Sequence, residues 1–372
     1  LNEDKKGNAS LALLGELDAL CIPEHAFANP ETNAAHCCGH HAQMAGVFGA
    51  ALALTVPEIA EKLDGQVVFF ATPAEEYGEI EFKNQLREQG KIRYGGGKCE
   101  LLRIGAFDDI DLCLTHHIRP GNEILVGSGT GNGFVSKVIR VLGKASHAAG
   151  APEKGVNALS AASLGLQALG LNRETFRDED CVRVHPIITK GGNLVNVIPD
   201  EVVVETLVRG KTIEAFTDAA KKTDRSFKAG AIAMGAKVEI STLPGYLPTL
   251  AEEALPELKH AAEISASGIP VIEASGHAGG STDVGDVQHL MPVYTFNTGG
   301  VKGGLHQIDF EVTDEEEAYI VTAKMFALAA YGLLKEKAQR SRELVDQYEP
   351  VFKNSAEYVE FMEQFDSKEI FE

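Results

Sequence analysis

Three histidines and two cysteines fall within six residues of this chain, in His36-Cys37-Cys38-Gly39-His40-His41. Thiolate and imidazole are the side chains that bind borderline divalent ions such as zinc. Cys38 and His40, two residues apart, are therefore candidate ligands. A Cys-x-His pattern is short, and a buried cysteine beside a solvent histidine explains it as well when it stands alone. A redox pair of Cys37 and Cys38 ranks last, because bridging adjacent cysteines closes a strained ring and the chain has no Cys-x-x-Cys.

Partners for a metal occur further along. Glu75-Glu76 follow the apolar run FFATPA. Of two adjacent carboxylates, one can bind a metal while the other stays free as a base. Alone, the pair reads as a solvated loop. His116-His117 end the segment DLCLTHHI, and His306 stands in the glycine-rich exit from PVYTFNTGG. Each histidine singly reads as a surface residue. Cys38, His40, one of Glu75-Glu76, one of His116-His117 and His306 together make five candidate ligands at four successive strand exits. Open α/β sheets place their sites at such exits. The five do not come as the close cysteine pairs of a structural zinc site.

Those side chains need elements to position them. LALLGEL (residues 11–17) suits a buried strand. Met44, Val47, Phe48, Ala51 and Leu52 recur at helical spacing, which puts Cys38-Gly39-His40 at a helix N-terminus, where the thiolate is favoured. QVVFFATP is a β-branched and aromatic strand leading into Glu75-Glu76. From Gly131 the pattern reads strand, helix, two strands, helix, strand, a compact β-α-β-β-α-β unit that ends near PGYLPT. The α/β pattern then resumes, and Thr313 with Glu316 has capping-box spacing at the start of a helix through Leu334. The tail beyond Lys335 carries Tyr348, Phe352, Tyr358, Phe361 and Phe365, as expected of an amphipathic helical extension.

With 372 residues and 44% hydrophobic side chains, the chain is long enough for two domains. The net charge of −20 opposes nucleic acid or an anionic membrane as a main partner. No uninterrupted apolar run has the length of a membrane span. Six cysteines are too few for a disulfide scaffold, so a cytoplasmic protein with reduced thiols is expected. A core strand so near Leu1 leads us to expect a further helical segment upstream.

The motifs HCCGHHAQMA, ATPAEE, LTHHI, GKASHAAGAPEKGVNAL, GGNLVNVIPDE, GGSTDVGD and GGLHQIDF together resemble the M20 metallopeptidases. The similarity is greatest to the amidohydrolase branch with aminoacylase-like and aminobenzoyl-glutamate hydrolase-like enzymes. It runs from about Leu11 to Leu334. The resemblance implies an α/β fold: a zinc-peptidase-like catalytic domain (1–130 and 247–335), an inserted ferredoxin-like dimerisation domain (131–246) and a C-terminal extension (336–372). It implies two divalent ions, zinc first and manganese or cobalt as alternatives. Cys38 would bridge them, with Glu76 and His306 on one ion and His40 and His117 on the other.

Glu75 would be the general base and Asp18 a support from the first strand. His147, often supplied by a partner subunit, would steady the oxyanion. Asn196, Ser281, Thr282 and Asp283 would contact substrate. The implied reaction is hydrolysis of the amide bond in N-acyl amino acids or short peptides, by a homodimer or higher homo-oligomer. A non-catalytic, metal-stabilised binding or assembly protein of the same fold is the rival.

Three positions depart from the branch: Cys37 where a small residue is usual, His41 where Asp is usual, and Glu16 where many relatives carry Asp. His25, His185, His260, His277 and His289 have no motif support and are read as structural.

Overall fold

The computed structural model describes all 372 residues. Its principal elements, in chain order, are β1 (Ser10–Glu16), α1 (His40–Leu54), β2 (Gln66–Thr72), α2 (Gly97–Arg103), β3 (Leu112–Ile118), β4 (Ile124–Val126), β5 (Gly133–Leu142), α3 (Ala158–Asn172), β6 (Ile187–Lys190), β7 (Glu201–Gly210), α4 (Ile213–Met234), β8 (Lys237–Tyr246), α5 (Pro256–Ser265), β9 (Val271–Glu273), α6 (Val284–Gln288), β10 (Val293–Thr298), α7 (Thr322–Gln347), α8 (Ser355–Met362) and β11 (Ser367–Phe371).

One six-stranded sheet has the order β9-β4-β10-β3-β1-β2. Strands β1, β2, β3 and β10 run parallel, with Glu16 level with Thr72 and Leu14 with Thr115. Their C-terminal ends therefore lie along one edge. The chain passes from β1 to β2 on one side and returns to β3 on the other, so the order reverses at β1, where such sheets bind ligands. Helices α1 and α7 cover one face through Val47, Ala50, Leu54, Met325, Phe326 and Leu333. The other face packs on Phe107, Tyr246, Val287 and Tyr358.

Of the residues read at helical spacing in α1, Val47 is buried but Phe48 and Leu52 are exposed, and Ala42, Ala50 and Leu54 complete the buried face. Nearly every side of HHAQMAGVFGAALAL offers an apolar residue, so periodicity alone does not choose between them. At the start of α7, the N–H of Glu317 donates to Asp314 Oδ1 at 3.1 Å. The cap expected from Thr313 comes from the next residue, through a π-helical turn over Glu316–Val321. The segment Glu316–Gln347 matches a membrane span in length and composition, but half of its most apolar stretch is buried in the protein.

The second sheet runs β6-β7-β8 with β5 between β7 and β8, giving the order β6-β7-β5-β8-β11. Helices α3 and α4 pack on it through Ala161, Ala162, Phe216 and Phe227. The tail is not helical throughout. α7 breaks at Lys335–Ala338, where Glu336, Lys337 and Ala338 have positive φ. After α8 the chain becomes β11, which pairs antiparallel with β8 from Val238↔Phe371 to Thr242↔Ser367. Tyr358 of α8 is fully buried and donates to Asp286 Oδ1 at 2.9 Å. The tail thus fastens the second sheet to the first.

One buried carboxyl away from the strand exits makes stability depend on pH. Glu252 accepts from the Thr295 N–H, and burial raises its pKa from 4.5 to about 8. Between about 4.5 and about 8 the folded state keeps a proton that unfolding releases, so the folded state loses stability as pH rises through that range. Glu252→Gln is expected to raise the melting temperature more at pH 8 than at pH 5. Equal shifts at the two pH values in a thermal melt would refute this.

Candidate metal centre

Each exit of the first sheet delivers one part of the cluster. Asp18 follows β1, and its Oδ2 accepts from the Glu76 N–H at 2.8 Å. His40 opens α1, with Nδ1 3.0 Å from the Asp18 carbonyl and 3.2 Å from its Oδ1. Gly39 links Cys38 to that helix at φ 97°, and a Cβ there would sit 2.1 Å from Ile118 Cγ2. The glycine of Cys-Gly-His is therefore needed both for the turn and for the approach to β3.

Cys38 Sγ lies 3.4 Å from His117 Nε2 and 3.3 Å from His306 Nε2. His306 Nε2 is 3.0 Å from Glu76 Oε1. His306 itself has a positive φ of 64°, and its N–H donates to the Cys37 carbonyl at 2.8 Å. That bond ties the distant exit loop to the opening motif.

The donor atoms form three groups, each within 4.8 Å: Cys38, His40 and His117; Cys38, Glu76 and His306; and Glu16, His40 and Glu75. All five residues read as ligands come together, with Cys38 common to two groups. Neighbouring donors 3.0 to 3.4 Å apart suit an ion with bonds of about 2.0–2.3 Å. Two further observations fit a cation. His40 Nε2 is buried without a hydrogen-bond partner. Glu16, Asp18 and Glu75 also come within 3.9 Å of His40, and of the three only Glu16 is paired with a lysine, Lys98; buried charge of one sign needs counter-charge.

The electrostatics agree. Burial pushes the Cys38 thiol far up, and Glu76 and Glu75 add to this. The helix N-terminus does not overcome that, so a thiolate at Cys38 requires a cation beside it. Burial works against a charged His40, yet Asp18, Glu16 and Glu75 hold it up at about 9. Burial likewise works against ionised Asp18, but the bond from His40 and the Glu76 amide keep it at about 2. Glu75 is raised well above the usual range by burial, with Glu16 and Asp283 adding.

The remaining expected residues divide. His116 faces away from Cys38, as the alternation of a strand requires. It is buried with Nε2 2.8 Å from Thr298 Oγ1, so of the pair only His117 joins the cluster. His147 and Asn196 meet on an exposed turn of the second sheet, where the Ala148 N–H donates to the Asn196 carbonyl at 3.0 Å. Neither hydrogen-bonds to the cluster. Ser281 Oγ accepts from Arg209 at 3.2 Å, while Thr282 Oγ1 accepts from the Val284 N–H at 3.3 Å.

Asp283 does not line an open pocket. It is fully buried, with Oδ1 2.6 Å from Lys98 Nζ and Oδ2 accepting the Lys98 N–H at 2.8 Å. The polar serine-threonine-aspartate run suggests a solvent loop, but the buried ammonium draws its last member inward. Cys37 is also fully buried. The ring of His41 packs edge-on to Phe310 and Tyr319 and lies 5.5 Å from that of His36. It enters none of the ligand groups.

Three residues lie beyond sequence reasoning in these roles. Glu16 puts Oε2 3.3 Å from His40 Nε2 and ion-pairs with Lys98 through Oε1. Lys98 follows three glycines and precedes CELL, which marks a helix start but not a buried charge. Arg209 ends β7 half-buried over the Phe134 ring, 5.6 Å from its centroid, and makes no ion pair. Burial lowers its pKa, while Tyr246, Glu75 and Glu76 act against that.

Comparison with known proteins agrees with this architecture. Peptidase family M20/M25/M40 matches residues 12–331. The chain is 28% identical over 311 residues to the Xaa-Arg dipeptidase of Mus musculus, covering 82% of this chain and 64% of that one. It therefore spans less than two thirds of the length of that relative. It is 25% identical over 345 residues to the N-acetyl-L-cysteine deacetylase of Bacillus subtilis, covering 90% of this chain and 76% of that one. Among solved structures, a dinuclear metal binding peptidase from the M20 family of Bacillus subtilis superposes with TM-score 0.58. It shares 23% identity over 88% of this chain and 82% of that one, and so shares the fold.

Proposed function

The chain belongs to peptidase family M20/M25/M40, and from that premise we propose that it is a dinuclear metal-dependent amidohydrolase acting on N-acyl amino acids or dipeptides. The observation that carries this reading is the convergence of Cys38, His40, Glu76, His117 and His306 beside a second carboxylate, Glu75, that forms no ion pair with a lysine or arginine. Cys38, Glu76 and His306 would hold one ion, and Cys38, His40 and His117 the other, with zinc suited to the mixed sulfur, nitrogen and oxygen donors. When bound, such ions polarise an amide carbonyl and acidify water.

The rest falls to the chain. Asp18 fixes the His40 ring through Nδ1 and the Glu75-Glu76 loop through the Glu76 amide. Glu75 is the general base: its carboxylate takes a proton from the attacking water and returns it to the leaving amine. Burial, with Glu16 and Asp283 adding, raises its proton affinity, which strengthens it as a base. Arg209, half-buried and without a carboxylate partner, is the anchor for the substrate's free carboxylate, since a guanidinium pairs with that group in bidentate fashion.

The test is a panel of N-acyl amino acids and dipeptides, each with a carboxyl-amidated counterpart, assayed with zinc, manganese and cobalt added separately. Hydrolysis confined to the free acids is expected, and no turnover with any metal would overturn the reading. Arg209→Met is expected to raise KM for the free acids by about 10-fold or more, at the roughly 1.5–3 kcal/mol of a charge-assisted bond, and to leave any residual cleavage of the amidated compounds unchanged. An unaltered KM would remove Arg209 from this role.

The homodimer belongs to the same proposal. The β6 edge of the second sheet is exposed along Ile187–Lys190, while the β8 edge is covered by β11. The mass of a single chain in light scattering would exclude it.

A further inference from the structure

We propose that Glu16 is an additional ligand of the cation held by Cys38, His40 and His117, and that Lys98 is the residue positioning it. This rests on the metal-dependent reading above. Both atoms that face His40 Nδ1, the Asp18 carbonyl and Asp18 Oδ1, are acceptors, so Nδ1 carries a ring hydrogen and Nε2 is the atom left to face the cluster. His40 is 1% exposed, and its Nε2 has no hydrogen-bond partner. What it faces are two carboxylate oxygens, Glu16 Oε2 at 3.3 Å and Glu75 Oε2 at 3.9 Å. In a dry site positive charge must lie between Nε2 and those oxygens: a proton on the ring in the metal-free chain, or the cation when one is bound. Two donors 3.3 Å apart have the spacing of neighbours on one ion.

Lys98 cannot be that charge. Its Nζ is engaged on the other side, by Glu16 Oε1 and by Asp283 at 2.6 Å. It instead takes up one oxygen of Glu16 and leaves the second directed at His40. The lysine can reach this place because Gly97 has no side chain: a Cβ there would meet the Pro73 carbonyl oxygen at 1.5 Å. Glycine thus lets α2 dock against the β2 exit and bring Lys98 beneath Glu16. Within the third donor group, Glu16 with His40 and Glu75, Glu16 then supplies the oxygen donor, and Glu75, farther off at 3.9 Å, stays free as the base.

The experiment is metal titration of the whole chain, stripped by chelation and followed by calorimetry with zinc and by absorption with cobalt. Wild type is expected to take two equivalents. Glu16→Gln keeps the side-chain shape but loses the anionic donor. It should bind one equivalent unchanged and the other about 10- to 100-fold more weakly, with the cobalt spectrum altered for that equivalent alone. Glu16→Asp keeps the charge and the Lys98 pairing but draws the oxygen back from His40. It should weaken the same equivalent and carries the test if Glu16→Gln does not fold.

Two equivalents at wild-type affinity in both variants would overturn the proposal while leaving the dinuclear site standing. Equal weakening of both equivalents, together with a lowered melting temperature, would assign Glu16 a structural role and overturn it too. A wild-type chain that binds no metal would overturn the parent reading, and this one with it.

Discussion

Glu75→Gln is expected to leave the fold and both metal equivalents intact while turnover falls by about two to four orders of magnitude, the usual weight of a general base. Glutamine matches the shape of Glu75 but cannot accept a proton from water. The substitution also removes negative charge from a site where Glu16, Asp18, Glu76 and Asp283 remain, so no buried cation is stranded. Glu75 is 9% exposed, and its Oε2 lies 3.9 Å from His40 Nε2. Glu76→Gln is the informative contrast. Glu76 Oε1 lies 3.0 Å from His306 Nε2, so that variant should lose metal as well as rate. Single-turnover kinetics with metal content measured on the same samples separate the two. Retained turnover in Glu75→Gln would sink the assignment of the base.

Lys98→Met is expected to cost roughly 3–5 kcal/mol of stability, the penalty for breaking a buried ion pair from one side. Lys98 is fully buried between Glu16 and Asp283, themselves 3% and 0% exposed. Burial alone would strip the proton from its ammonium, and the two carboxylates outweigh that and keep it charged. Methionine fills the volume but leaves two carboxylates facing each other without a counter-charge. Adding Asp283→Asn and Glu16→Gln to Lys98→Met should recover much of the loss, since neutral groups bury more cheaply than unpaired charges. The measurement is the urea midpoint of the metal-free chain at constant slope. An unchanged midpoint in Lys98→Met would show that the triad carries no net stability.

Sequence and structure differ in how far each reaches to individual residues. The strand exits are legible because each polar group follows an apolar run with a clear boundary: Glu75-Glu76 after QVVFFATP, His117 at the end of LCLTHHI, and His306 beyond VYTFNT. The choice of His117 over His116 rests on the two-residue repeat of a strand, and its phase is fixed only by which face packs on Phe296 and Phe326. The burial of Asp283 is not legible, because a polar run gives no sign of a buried lysine 185 positions away. The aromatics of the tail recur at helical spacing and suggest a helix throughout. Its last residues become a strand because β8 presents an open edge for them to pair with.

By itself the sequence determined the alternation of strands and helices, the residue types able to hold a divalent ion, and the family to which those motifs point. These follow from local chemistry: side-chain periodicity, turn residues, and donor atoms carried on neighbouring positions. The tertiary structure alone decided that Lys98 locks Glu16 against His40 and that Arg209 of the second sheet reaches Ser281 across the Phe134 ring. Each of these joins residues far apart in the chain, and their interaction exists only once parallel strands bring the exits to one edge and burial removes the water that would otherwise screen their charges.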